Sequence, residues 1–105
     1  MAPIVIYMLA EQVAIAMQHD IANTIYRLST IKSGLQTNIL QLAQMASSLD
    51  PNSPEAKSLE ARRQHLATLE KKLDADINYY KHRLEIANNL KKWGEDGANK
   101  GISGH

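Results

Sequence analysis

The first half of the chain carries almost no charge. Up to Leu49 the only ionised side chains are Glu11, Asp20, Arg27 and Lys32, and all other Asp, Glu, Lys and Arg residues come later. The spacing of the apolar residues nevertheless predicts one long α-helix, with no proline after its first turn. A helix that is apolar on nearly every side is normally buried inside a larger structure. One other helix of the same chain cannot cover all of its faces.

The strongest interruption of the helical pattern is the run Asp50, Pro51, Asn52, Ser53 and Pro54. Each proline disfavours helical geometry in the residue before it, and Asn and Ser favour turns through bonds to the local backbone. Ser53 is a good cap for a second helix that has Pro54 at its first position. This run is therefore predicted to end one helix and to start the next.

The sequence predicts an all-α fold: two long antiparallel helices in a coiled-coil-like helical hairpin, because a short turn forces consecutive helices to lie antiparallel. The hairpin is expected to form one domain over 1–93, with helices over 3–49 and 54–93 and a turn over 50–53. Residues 94–105 contain four glycines among polar neighbours, which predicts a flexible tail.

Apolar residues spaced alternately three and four apart indicate the side of the first helix that faces the second. This predicted seam consists of Ile21, Ile25, Leu28, Ile31, Leu35, Ile39, Leu42, Met45 and Leu49.

Pairing residues at equal distances from the turn places Met17 opposite Ile86 and Ala10 opposite Trp93. Residues 1–9 are then expected to project beyond the second helix without cover from their own chain. Tyr7 falls near Trp93 at the same end, where the two rings are able to form a cluster. A large exposed apolar patch usually marks an interaction site. The predicted assembly interface consists of Ile4, Val5, Ile6, Tyr7, Met8, Leu9, Val13, Ile15 and Met17.

The sequence contains no recognisable catalytic or ligand-binding constellation. There is no cysteine, and the four histidines lack the spacing of a metal site. Asp74 and Asp76 are two residues apart, so they point to different faces of a helix. We therefore expect that the protein is not an enzyme and that it holds no metal, cofactor or small-molecule substrate.

The charge pattern argues against two classes of partner. Net charge is only +1, and the basic pairs of the second half alternate with acidic residues, which disfavours nucleic acid. Glu11 and Gln12 interrupt the apolar N-terminal stretch. A membrane-spanning helix needs about 20 mostly apolar residues, and this stretch is shorter. Contact with a membrane surface through residues 3–17 remains a third, less favoured reading.

The arrangement helix, Asp50-Pro51-Asn52-Ser53-Pro54, helix resembles the needle subunits of bacterial type III secretion systems. Those subunits are short helical hairpins with a Pro-x-x-Pro type turn, and they polymerise into hollow helical filaments. The resemblance covers the turn and the two-helix plan. It does not extend to the chain ends, because needle subunits bury a C-terminal helix. The stretch 48–57 also resembles short bacterial coiled-coil proteins of unassigned role.

The resemblance and the apolar first helix together imply a structural subunit. We expect it to self-assemble through its N-terminal helix into a helical filament or tube, bacterial and extracellular or at the cell surface. The alternative is a small coiled-coil adaptor or secretion-linked binding module that closes as a dimer or a four-helix bundle. In both readings the expected partner is the chain itself. The absence of cysteine is compatible with a cytoplasmic location as well.

Overall fold

The structure, a computed structural model, describes residues 2–102, and the side chains of residues 3–101. These residues form two α-helices, α1 (Ala2–Ser47) and α2 (Pro54–Ile102). The predicted all-α helical hairpin is therefore confirmed. The contacts group the chain into two compact units: unit 1 comprises Met1–Ile25 and Tyr79–His105, and unit 2 comprises Tyr26–Asn78.

In unit 2, α1 ends at Ser47, slightly before the predicted end at residue 49. The backbone N–H groups of Ser48 and Leu49 donate to the carbonyl oxygens of Met45 and Ala46, at 3.4 and 3.1 Å. These bonds reach back three residues instead of four, so the chain tightens out of α-helical geometry before the first proline.

The turn is held by the polar residues that predict it. The Asn52 N–H donates to Asp50 Oδ1 at 3.0 Å, and the Ser53 N–H donates to the Asp50 carbonyl at 2.9 Å. The N–H of Ala56 donates to Ser53 Oγ at 3.1 Å. Ser53 is thus the N-cap of α2, with Pro54 at the first helical position, as predicted.

The seam of unit 2 departs from the predicted stripe at two positions. Ile31 and Met45 are exposed, whereas Lys32 and Ala46 are half-buried. The residues that face α2 follow a strict seven-residue repeat, in which a step of four comes after each leucine at 28 and 42. The predicted stripe takes a step of three after each of these leucines because it follows apolar residues only. In the structure the step is four, and Lys32 therefore lies in the seam.

In unit 1 the prediction of a helix end near Trp93 and a flexible tail is wrong for the described residues, because α2 continues to Ile102. The backbones of the two helices approach closely at Gly94. A Cβ atom added there would lie 2.6 Å from the Tyr7 carbonyl oxygen and 2.8 Å from the Glu11 backbone nitrogen. At this contact between the two helices there is no room for a side chain at position 94, so glycine allows the close approach. The rest of the predicted tail, residues 103–105, lies outside the described part of the chain.

The longer α2 also corrects the predicted overhang. A Cβ at Gly97 would overlap the Tyr7 ring, and one at Gly101 would overlap the Ile4 side chain. The seam-facing side of the N-terminal segment is therefore covered by its own chain. The register of the two helices also differs from the prediction. Pairing at equal distances from the turn places residue 85 opposite Gln18, but the Gln18 side chain bonds to Asn88.

The interior of unit 1 consists mainly of small residues. Ala14, Ala87 and Ala98 are buried, and Ile21 is the one larger residue beside them in the buried set. Across residues 3–101 no large side chain is completely buried. A layer of two helices is too thin to enclose one, so much of the apolar surface remains exposed.

Candidate assembly surface

The predicted interface residues divide into two groups in unit 1. Ile4, Tyr7, Ile15 and Met17 are half-buried, and Ile4 and Tyr7 are in contact with α2. The other five keep 48–56% of their surface exposed: Val5, Ile6, Met8, Leu9 and Val13. The second group presents most of the apolar surface that is open to a partner.

The aromatic pair at this end of α1 forms as the sequence analysis anticipates. The ring centroids of Tyr7 and Trp93 are 4.5 Å apart, with the ring planes tilted by 60°. This is a favourable tilted geometry for two aromatic rings. Because Gly97 leaves room for the Tyr7 ring, the tyrosine packs against α2 while Trp93 remains 49% exposed.

A second apolar element, on α2, was missed by the sequence analysis. Ile86 is 51% exposed and lies seven residues before Trp93. Residues seven apart occupy nearly the same side of a helix. The signal that could have found it is the seven-residue spacing of Tyr79, Ile86 and Trp93 along α2.

Two polar contacts of unit 1 lie on the other flank of the hairpin, whereas on the flank of Ile86 the Arg83 guanidinium lies over the Tyr79 ring, 5.8 Å from its centroid. Gln18 Nε2 donates to Asn88 Oδ1 at 2.6 Å, and Lys91 Nζ lies 3.5 Å from Glu95 Oε1. In α1 up to residue 18, Glu11 is the only Asp, Glu, Lys or Arg. The apolar surface of α1 therefore contains no charge that would select a charged partner.

Comparison with protein-family models, with curated proteins and with solved structures finds no match to this chain.

The described residues provide little for chemistry. No three His, Asp or Glu side chains among them come together as a metal site. His82 Nδ1 lies 3.8 Å from Glu85, and both side chains are well exposed. Neither helix, over its described length, has a stretch long and apolar enough to cross a membrane.

Unit 2 contains a depression of about 330 Å³ between the two helices, beside Met45 and Arg62. Its walls include Asn38 and Gln41, and these four side chains are all exposed. Ligand sites bury most of their ligand behind convergent polar groups. This depression is an open groove and does not have that construction.

The ion pairs of unit 2 connect or stiffen the helices. Lys32 Nζ lies 2.5 Å from Asp74 Oδ1, and the bond to Asp74 raises the pKa of Lys32 above its ordinary value. Arg63 donates to both carboxylate oxygens of Glu60. That bond lowers the pKa of Glu60 and raises the pKa of Arg63. Lys32 and Arg63 are each paired with an acid, which is the arrangement of a solvated helix surface rather than of a reactive site.

Proposed function

We propose that the protein is a structural subunit that self-assembles through the outer side of α1 in unit 1 and builds a helical filament or tube. One observation carries the proposal. Five large apolar side chains, on residues 5–13, remain about half exposed although α2 runs alongside them. Such an uncharged apolar surface on a folded domain marks a contact with another protein surface.

The free energy available from this surface is moderate. Burying one such side chain completely contributes about 1.5–3 kcal/mol, so covering five half-exposed ones contributes on the order of 5 kcal/mol per copy. Association itself costs about 4–15 kcal/mol in lost translational and rotational freedom. These five side chains alone therefore give little net stability, so a lasting assembly needs more apolar surface in the same contact or several contacts per copy, and a filament or tube provides the latter.

The distribution of charge supports an arrangement with α1 inside. Nearly all ionised residues are on α2 or in the turn before it, and these are the residues that remain in water in a soluble assembly. The likeness of the proline turn to that of secretion needle subunits supports a filament and a location outside a bacterial cell, but the inner position of α1 rests on the charge distribution alone, because those subunits bury a C-terminal helix.

The test is negative-stain electron microscopy of the purified full chain, with a triple variant Val5→Gln, Leu9→Gln and Val13→Gln. These outward substitutions leave the seam intact and are expected to abolish the filaments. The matched control is Tyr26→Gln with Leu40→Gln, which removes two exposed apolar side chains, 74% and 59% exposed, from unit 2.

The control variant is expected to assemble as the unmodified chain does. Filaments of unchanged length and mass from the triple variant would overturn the proposal. Loss of assembly in both variants would assign the contact to exposed apolar residues in general and not to the N-terminal surface.

A further inference from the structure

The exposed apolar residues of unit 1 form two surfaces of different shape. With 100° between successive helical residues, Val5 and Met8 lie on one flank of the α1 seam, and Leu9 lies on its back. We call these three residues, Val5, Met8 and Leu9, the ridge. Ile6 and Val13 lie on the other flank.

The second flank continues onto α2. In an antiparallel pair, positions that turn the same way from the seam share one face, because an approximate two-fold axis relates the helices. By this relation Ile86 and Trp93 lie on the same face as Ile6 and Val13, and the four residues are the two-helix face. The bond from Gln18 to Asn88 lies on the opposite, polar flank of α2.

The two-helix face is hollow near its end, whereas the ridge is convex. A depression of about 230 Å³ lies between the two helices at this end, and the charged Lys100 borders it; its lining is Pro3, Ile4, Tyr7, Gly97, Lys100 and Gly101. Gly97 is four residues from Trp93, so the hollow continues the two-helix face. The ridge residues at 5, 8 and 9 have the i, i+3, i+4 spacing with which a helix enters such a groove.

We infer that the ridge of one copy packs on the two-helix face of the next, and that Ile86 and Trp93 therefore belong to the assembly interface. This inference rests on the proposed function and specifies its partner. The contact is heterologous, which means that each copy uses two different surfaces. A repeated heterologous contact gives an open filament, or a ring if the rotation closes.

The exposed area supports a second copy as the occupant. Seven large side chains that are each about half exposed present on the order of 700 Å² of apolar surface. Non-obligate interfaces are about 57% apolar, so this corresponds to a contact of about 1,200 Å², the lower end of the stable range. A two-fold contact between two-helix faces would leave every ridge in water, whereas the heterologous contact covers both surfaces.

The test uses one charge on each surface. Leu9→Glu disables the ridge, and Ile86→Glu disables the two-helix face, because an unpaired carboxylate is not tolerated in an apolar contact. Each variant alone is expected to be monomeric by native mass spectrometry. An equimolar mixture is expected to form a heterodimer of twice the 11.7 kDa chain mass and nothing larger, because one intact ridge meets one intact face.

Several outcomes would overturn the inference. Dimers of Leu9→Glu alone would indicate a two-fold contact between two-helix faces. A mixture that remains monomeric, while the unmodified chain assembles, would contradict the heterologous contact and leave the proposed function standing. An unmodified chain that remains monomeric would contradict both the heterologous contact and the proposed function.

Circular dichroism must show both variants helical, and the control Gln36→Glu, an exposed change in unit 2, must assemble normally. If either variant fails to fold, Met8→Glu and Val13→Glu carry the same test on the ridge and on the two-helix face.

Discussion

One substitution, Gly→Ala, is expected to have different effects on stability at two helical positions of this chain. At Gly34 an added Cβ meets no atom within 4 Å, whereas at Gly94 it meets the backbone of Tyr7 and Glu11 at 2.6 and 2.8 Å. Neither backbone atom is able to rotate away. The pair of variants therefore separates helix propensity from close packing of the two helices.

The magnitudes follow from these contacts. Alanine is favoured over glycine inside a helix by about 1 kcal/mol, and Gly34→Ala should gain all of it. Gly94→Ala makes the same gain but forces the helices apart, and overpacking of this kind costs about 1–3 kcal/mol. The two variants should therefore differ by about 1–3 kcal/mol, with Gly94→Ala the less stable. For a domain of this size that is a difference of at least about 4 °C in melting temperature.

The assay is thermal and urea unfolding followed by far-UV circular dichroism, at a protein concentration low enough to suppress assembly. Hydrogen exchange of the amides in residues 94–101 adds a local measurement, and exchange there should accelerate in Gly94→Ala alone. Equal stabilisation by both substitutions would refute the argument that glycine permits the close helix approach in unit 1.

Three further predictions test other parts of the structure. Ser53→Ala removes the N-cap of α2 and should lower the free energy of unfolding by about 1 kcal/mol, measured by urea titration; an unchanged midpoint would contradict the capping role. The pKa of Lys32 is raised by Asp74, so its contribution to stability is present below the ordinary lysine pKa of about 10.4 and is lost as the pH rises through the raised value. Lys32→Met should therefore weaken the alkaline loss of stability, and urea unfolding from about pH 8 to about pH 11 checks this. Trp93 is the single tryptophan, and its fluorescence should shift to shorter wavelength as the chain assembles and stay constant in Leu9→Glu.

The two-helix plan could be predicted because its signals are local. The turn is specified by Pro51, Pro54 and Ser53, whose effects on the backbone act within a few residues. The end of α2 could not be predicted in this way. Gly94 looks like a helix terminator by propensity, and its packing role depends on Tyr7 and Glu11, which are remote in the sequence.

The candidate site was predicted in part for the same reason. The apolar character of residues 4–17 is visible in the sequence, but the division into covered and exposed residues depends on the register of α2. The contribution of Ile86 and Trp93 depends on which flank of α2 continues the face of α1. At the seam, apolar spacing alone favours Ile31 over Lys32.

The most direct test of the account is sedimentation velocity of the unmodified chain in plain buffer over a wide range of concentration. Exposed apolar surface on α1 of unit 1 predicts sedimentation coefficients that increase with concentration, well beyond those of a compact 11.7 kDa monomer. A single monomeric species at the highest concentration would show that this surface is stable in water and would contradict self-assembly.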